Sequence, residues 1–231
     1  MTDHYAVVGN PVAHSRSPQI HAEFARQTAQ DMDYVRVLAP LDAFPATVQK
    51  FRDEGGKGVN VTLPFKLEAF RLASRHSERA LQARAVNTLK FENDHAFGDN
   101  TDGAGLVRDI EMNLGVALAG KRVLLMGAGG AARGVLLPVL EGNPATLVLA
   151  NRTRDKALAL ARQIAGSGSC IGTGYPELAG TQFDVVINAT SASVGGELPP
   201  LPANIFAPGA LAYDMMYGKG DTPFMKFAVA Y

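Results

Sequence analysis

The stretch RVLLMGAGGAARGVLLPVLEGNPATLVLANRTR, Arg122 to Arg154, decides how this chain is to be read. Val123 to Met126 is a short apolar run of the kind that a parallel strand buried on both faces needs. Gly127, Gly129 and Ala132 follow at the G-x-G-x-x-G/A spacing. A glycine at the first position permits a tight turn, one at the second leaves room for backbone to approach a pyrophosphate, and a small residue at the third lets a helix pack closely on its strand. The unpaired N–H groups and the dipole of a helix that starts there favour an anion. A glycine-rich turn alone is a weak signal, because ordinary α/β proteins also carry them. Here Val135, Leu136, Val139 and Leu140 continue at helical spacing, Gly142-Asn143-Pro144 breaks the helix, and Thr146 to Ala150 supplies a second apolar strand. The expected result is a βαβ unit whose turn, Gly127, Ala128, Gly129, Gly130 and Ala131, holds a dinucleotide.

The end of the second strand selects among dinucleotides. A protein that binds NAD carries an acidic residue about 20 positions past the fingerprint, where it holds the ribose hydroxyls. This chain has Asn151-Arg152-Thr153-Arg154 there. Two guanidiniums and a hydroxyl suit a 2′-phosphate, since arginine offers a dianion a planar fork of donors. NADP is therefore the expected cofactor, the alternative being that Arg152 and Arg154 are solvated residues opening the next helix.

Composition excludes several other roles. At 231 residues, 47% of them hydrophobic, the chain can hold one large or two small domains with a proper core. Lys+Arg and Asp+Glu balance at 22 each, so no net charge draws the protein to nucleic acid or to an anionic membrane. No apolar run approaches the ~20 residues of a membrane span, and Met1 to Asn10 lacks the pattern of a signal peptide. The only cysteine, Cys170, precludes an intramolecular disulfide and fits a reducing compartment, so a cytoplasmic location is expected. The five histidines, His4, His14, His21, His76 and His95, show no metal-ligand spacing, and no metal is expected.

Outside the fingerprint the pattern is also α/β. His4 to Val8 reads as a strand, and Ser17-Pro18 as the N-cap and first residue of a helix running to about Gln30. The hydroxyls of Ser15 and Ser17 suit either capping or ligand binding. Tyr34 to Leu38 is a second strand, Phe44, Val48 and Phe51 mark a helix, and Gly58 to Val61 is a third strand. That strand ends in Thr62-Leu63-Pro64-Phe65-Lys66, which puts Lys66 at a helix start, beyond the carboxyl end of a strand, where ligands collect in open α/β sheets. The helix is expected to continue to about Arg84, with a strand at Val86 to Phe91. Gly98 to Gly103 reads as a turn with two carboxylates at a domain boundary, and a helix from about Asp102 to Leu114 leads to the fingerprint strand. A helix through Leu158 and Ile164, a weak strand near Cys170 and strong strands at Val185 to Asn188 and Leu211 to Met215 complete the pattern.

Taken together, HSRSP at His14 to Pro18, NVTLPFK at Asn60 to Lys66, AVNTL at Ala85 to Leu89, GDNTDG at Gly98 to Gly103, GAGGAARG at Gly127 to Gly134, NRT at Asn151 to Thr153, INATS at Ile187 to Ser191 and YDMMY at Tyr213 to Tyr217 resemble the shikimate dehydrogenase family, in order and over essentially the whole chain. The resemblance implies an α/β substrate-binding and catalytic domain over residues 1–101, followed by a Rossmann-type NADP-binding domain with a parallel sheet over 102–231. It implies NADPH-dependent reduction of 3-dehydroshikimate to shikimate in chorismate and aromatic amino acid biosynthesis. Lys66 and Asp102 would be the catalytic pair, and Ser15, Ser17, Thr62, Asn87 and Tyr217 would hold the substrate. Thr190 and Met215 would join the fingerprint and the Asn151 to Arg154 stretch around NADP. Residue chemistry agrees, because an alkoxide formed by ketone reduction needs a proton, and an ammonium held by a carboxylate can deliver one. A monomer or homodimer with no nucleic-acid or membrane partner is expected.

Three features depart from the family pattern. Arg84 stands where a glycine usually precedes AVNTL, and Ser193 where a glycine often follows INATS-x. The family also continues past the position of Tyr231 with a DGLGML-like stretch and a helix bearing a substrate-binding glutamine. A chain without that segment is expected to bind NADPH but to turn over slowly. Two alternatives stay open at this point: a relative that also acts on quinate, and a non-catalytic NADP-binding module.

Overall fold

The computed structural model describes residues 2–93, 95–164, 168–217 and 220–231. By internal contacts the chain divides into two units, Met1–Thr101 and Asp102–Tyr231. The first unit runs β1 (Asp3–Gly9), α1 (Ser17–Thr28), β2 (Met32–Leu38), α2 (Phe44–Asp53), β3 (Gly56–Val61), α3 (Lys66–Leu72), β4 (Arg75–His76), α4 (Glu78–Ala83), β5 (Thr88–Glu92) and β6 (His95–Asp99). Its sheet has the order β2-β1-β3-β5-β6-β4. β1 is parallel to β2 and β3, while β5 is antiparallel to β3 and to β6.

Strand alternation sorts the two faces of this sheet. Ala6, Val8, Val59, Val61 and Leu89 pack on Phe44, Phe65 and Ala69 in one core. On the other face, the registers Tyr5↔Tyr34, Val7↔Arg36, Val7↔Asn60 and Asn60↔Thr88 align Tyr34, Arg36, Asn60 and Thr88.

Two elements differ from the sequence expectation. The helix expected from Lys66 to about Arg84 is two helices. Ala73 turns extended after α3, and Ser77 starts α4 afresh, its hydroxyl accepting the Ala80 N–H at 3.2 Å. Between them Ser74 and Ser77 donate their N–H groups to Ala96 and Gly98 of β6. The sequence expectation also places the start of a turn at Gly98, inside β6. Gly98 belongs to the strand because packing demands a glycine: a Cβ there would lie 2.8 Å from both Ala73 Cβ and Val86 Cγ2. Local sequence suggests a turn, and tertiary pairing overrides it.

In the second unit α5 (Asp102–Arg108) runs into a π-helical turn, Asp109–Asn113, followed by β7 (Arg122–Met126), α6 (Gly130–Glu141), β8 (Thr146–Ala150), α7 (Arg154–Gln163), β9 (Cys170–Thr173), β10 (Phe183–Asn188), β11 (Phe206–Asp214) and α8 (Pro223–Ala230). The strands pair in parallel in the order β11-β10-β7-β8-β9. Every residue from Val123 to Met126 is buried, as a strand covered on both faces requires. β11 starts at Phe206, earlier than the Leu211 expected, because its register shifts across the Pro208-Gly209 interruption. Gly103 brings α5 onto α6, since a Cβ there would fall 2.3 Å from Pro138 Cγ. Thr222 caps α8, its hydroxyl accepting the Met225 N–H at 3.1 Å. Among the described residues no helix is long and apolar enough to cross a membrane.

Candidate active site

In the second unit the sheet order reverses beside β7: β8 follows on one side and β10 lies on the other. Ligands bind beyond the carboxyl ends of strands at such a switch. Gly127 leaves β7 with φ +111, and a Cβ there would sit 2.9 Å from the Ala189 carbonyl oxygen that follows β10. Only glycine satisfies both the dihedral and the contact. Gly129 differs. Its φ of −83 and ψ of −170 are open to any residue, and a Cβ would meet no atom within 4 Å. Nothing in the protein demands a glycine here, so the open space in front of α6 is a cradle that a side chain would fill. α6 begins at Gly130 without a side-chain cap and with no acidic residue in its first turn. Its N–H groups and dipole are thus available to an anion, and the residues fit a pyrophosphate.

The remaining cofactor candidates border this turn. Asn188 is wholly buried, and its carbonyl oxygen accepts the Thr190 N–H at 3.1 Å and the Thr190 hydroxyl at 2.7 Å. Its amide donates to Asp214 Oδ1 at 3.0 Å, and the Met215 N–H donates to the Asn188 backbone carbonyl at 3.0 Å. Thr190 and Met215 are thereby held side by side. Asp214 also accepts the Met216 N–H and the Thr222 hydroxyl, which ties the start of α8 to the same cluster.

At the end of β8, the Asn151 amide donates to the Thr153 carbonyl at 2.9 Å and shapes the turn that presents Arg152, Thr153 and Arg154 to solvent. Arg154 Nε lies 3.0 Å from Glu177 Oε1 in an exposed ion pair. Arg152 acts on Tyr175, whose hydroxyl is pushed up to about 12 by burial, with the guanidinium pulling the other way. Tyr175 thus stays neutral under the cationic turn.

In the first unit, five of the sequence-predicted residues come to one end of the sheet. Ser15 and Ser17 follow β1, and Thr62 and Lys66 follow β3. Asn87 enters β5, which is antiparallel to β3, and so lies at that same end. Backbone bonds join these segments: Thr62 N–H to the Val8 carbonyl at 2.9 Å, Val61 N–H to Asn87 at 2.7 Å, and Val86 N–H to Lys66 at 2.9 Å. Gly9 makes room, since a Cβ there would lie 2.4 Å from Thr62 Cγ2. Lys66 is the first residue of α3, as expected. Thr101 donates its N–H to Asn87 Oδ1 at 3.0 Å, and Asp102 is the next residue in the chain and the first of α5. Asp99, which ends β6, is held at about 2, well below the usual carboxylate range, first by the Arg79 guanidinium and then by the Ser77 hydroxyl and the Asn100 N–H. Tyr217 is half exposed and belongs to the second unit.

One expectation is corrected. Ser17 is not the N-cap of α1 but its first residue; Arg16 holds the cap position and no side chain caps the helix. The Ser15 hydroxyl accepts the Ser17 N–H at 3.3 Å and donates to the Ser17 hydroxyl at 3.0 Å. Ser15 is almost completely buried, and Arg36 Nε donates to its carbonyl at 2.7 Å. Arg36, Tyr34, Asn60 and Thr88 went without a role in the sequence expectation. The signal for them was the period-two spacing of Tyr34 and Arg36, which places both on the face opposite the core.

The departures from the family pattern also have positions. Arg84 ends α4 in the left-handed region, with φ 48 and ψ 37. Ser193 lies in a 3₁₀ turn, Ala192–Gly195. Among the described residues no group of three or more His, Cys, Asp or Glu could hold a metal ion.

Residues 7–89 match the family model of the shikimate dehydrogenase substrate binding domain, and residues 109–194 match that of shikimate / quinate 5-dehydrogenase. The chain is 64% identical over 228 residues to shikimate dehydrogenase (NADP(+)) of Nitrosospira multiformis, covering 99% of this chain and 83% of the relative. A crystal structure of an enzyme from Pseudomonas putida matches with a TM-score of 0.88 and 53% identity over 99% of this chain and 84% of the other. Shikimate 5-dehydrogenase of Thermus thermophilus, solved in complex with NADP(H) and shikimate, matches with a TM-score of 0.85 and 32% identity, again over 99% and 84%. Two family models in register and close relatives across nearly the whole chain leave one assignment: the chain belongs to the shikimate dehydrogenase family.

Proposed function

We propose that this protein reduces 3-dehydroshikimate to shikimate with NADPH, a step of chorismate and aromatic amino acid biosynthesis, in the cytoplasm and as a monomer or homodimer. Residues 1–101 bind the substrate and residues 102–231 bind NADP. The observation that carries the reading is the gathering of Ser15, Ser17, Thr62, Lys66 and Asn87 at one sheet end, in a chain that is 64% identical to shikimate dehydrogenase (NADP(+)) of Nitrosospira multiformis. A small hydroxylated acid needs several hydroxyl and amide partners, and these residues supply them. The paired hydroxyls of Ser15 and Ser17 suit its carboxylate, and Thr62, Asn87 and Tyr217 its hydroxyls.

NADPH supplies the hydride when bound. Gly127 to Ala131 and the start of α6 hold its pyrophosphate, Asn151 to Arg154 its 2′-phosphate, and Thr190 and Met215 its nicotinamide end. Lys66 holds the proton that the substrate oxygen takes up as it becomes an alcohol. An ammonium also stabilises negative charge developing on that oxygen before the proton moves. Asp102, at the start of α5, is carried over from the family pattern as the second member of the catalytic pair.

The test follows NADP⁺ reduction by nicotinamide absorbance, with shikimate and quinate as substrates and NAD⁺ as the rival cofactor. Turnover with shikimate and NADP⁺ well above the other three combinations is expected. Comparable turnover of quinate would instead favour the broader activity that the second family description names. Lys66→Ala should lower kcat by roughly two to four orders of magnitude and leave the NADPH Kd within about twofold. A Lys66→Ala enzyme with near-normal kcat would remove Lys66 from the role.

A further inference from the structure

We infer that Tyr34 is a positioning residue for the substrate site: acting through Asn60 and Thr88, its hydroxyl helps hold the end of the Asn87 amide that faces the substrate. The inference rests on the reading of Asn87 as a substrate contact. The Tyr34 hydroxyl donates to Asn60 Oδ1 at 2.6 Å. With its oxygen so engaged, Asn60 turns its amide nitrogen to Thr88 and donates to the Thr88 hydroxyl oxygen at 3.1 Å. The Thr88 hydroxyl, having accepted, sends its own proton to Asn87 Oδ1 at 2.9 Å. That same oxygen accepts the Thr101 N–H at 3.0 Å, and the Asn87 nitrogen donates to the Thr101 hydroxyl at 2.9 Å.

Direction is what this relay supplies. The two ends of a primary amide have nearly the same shape, so only their partners decide which one points where. Reversing Asn87 would turn its N–H₂ group toward the Thr88 proton and the Thr101 N–H, donors facing donors. The Thr101 N–H, which can only donate, fixes the Asn87 oxygen at one end of the line, and the Tyr34 hydroxyl closes the other end by donating to Asn60 Oδ1. The Tyr34 ring is held in turn, stacked on His21 at 4.0 Å between centroids and 15° between planes, and His21 Nδ1 hydrogen-bonds to the Ser17 carbonyl at 2.9 Å. One line of contacts therefore runs from Ser17, on one flank of the predicted site, to Asn87 on the other. Tyr34 sits on the edge strand β2, half buried, where a phenylalanine ring fills the same space.

The experiment compares the full chain with Tyr34→Phe, Thr88→Val, Asn87→Ala and the Tyr34→Phe/Asn87→Ala double variant, measuring the shikimate KM, the NADPH Kd and Tm. Tyr34→Phe and Thr88→Val should each raise the shikimate KM by about 5- to 10-fold, the scale of one neutral hydrogen bond, with the NADPH Kd within about twofold. In the Asn87→Ala background, Tyr34→Phe should add less than about twofold, because the residue it acts through is gone. An equal rise in both backgrounds would mean that Tyr34 acts on the fold and not through Asn87, and would overturn the inference. So would a Tyr34→Phe enzyme with wild-type KM when Asn87→Ala is impaired. If Asn87→Ala itself kept a wild-type KM, the substrate reading of Asn87 would fail, and the relay with it.

Discussion

Two glycines of the same turn should respond in opposite ways to the same methyl group. Gly129→Ala places a Cβ in space that no atom of the protein approaches within 4 Å, on backbone that any residue adopts. Its folded state should gain slightly, by roughly 0.4 to 1 kcal/mol, because alanine has less freedom to lose on folding. Its NADPH affinity should fall, because the methyl occupies the cradle and pushes the pyrophosphate off the α6 N–H groups. Charge-assisted hydrogen bonds are worth roughly 1.5 to 3 kcal/mol, so one such loss weakens Kd by about 10- to 150-fold. Gly127→Ala meets the reverse situation: φ is +111 and the Ala189 oxygen lies 2.9 Å from the new Cβ. Backbone strain of roughly 1 to 3 kcal/mol plus the overlap makes about 2 to 4 kcal/mol in all. At roughly 3 to 6 °C per kcal/mol, Tm should drop by about 6 to 24 °C. Thermal melts without cofactor and fluorescence titration with NADPH separate the two effects. A Gly129→Ala protein that binds NADPH within twofold of wild type would refute the cradle, as would one that melts like Gly127→Ala.

Replacing both Arg152 and Arg154 with alanine should weaken NADPH by a few kcal/mol and leave NADH almost unchanged, with Arg152 taking the larger share because Arg154 already pairs with Glu177; equal losses for both cofactors in a titration would dismiss the phosphate clamp. Arg84→Gly should raise Tm, since Arg84 holds a left-handed conformation that costs a side chain roughly 1 to 2 kcal/mol, about half of it offset by the greater unfolded freedom of glycine; an unchanged or lower Tm would mean that Arg84 makes compensating contacts. The Asp99 carboxyl is lowered from 3.8 to about 2 in the folded protein, so its stabilisation is present above about pH 4 and is lost as pH falls toward 2. The Tm gap between wild type and Asp99→Asn should therefore close over that interval, and a gap constant from pH 6 to 2 would show that the carboxylate charge is not its source.

How much of the site is legible in sequence depends on whether a residue's role is local. Gly127 and Gly129 carry their meaning in their spacing, since a turn between a strand and a helix is set by adjacent dihedrals. Thr222-Pro223 likewise announces a helix start, because capping involves residues three apart. Ser17-Pro18 offers the same local signal and is misleading, as Ser17 is already the first helical residue and gives its own N–H to the Ser15 hydroxyl. The Gly98-Asp99 pair reads as a turn until β5 pairs with it.

By itself the sequence determined the α/β class, the Rossmann-type turn, the preference for NADP and the stretches that bear the chemistry. Each of these is written in apolar periodicity, residue size or charge within about 30 positions. Only the tertiary structure decided that Tyr34, Asn60, Thr88 and Asn87 form one directed line, and that Arg84 bears a left-handed backbone. It also decided that Gly127 is demanded by the protein itself while Gly129 is not. The reason is physical: hydrogen-bond direction and steric room depend on atoms that neighbouring strands bring together from distant parts of the chain, and spacing within a single strand carries no record of them.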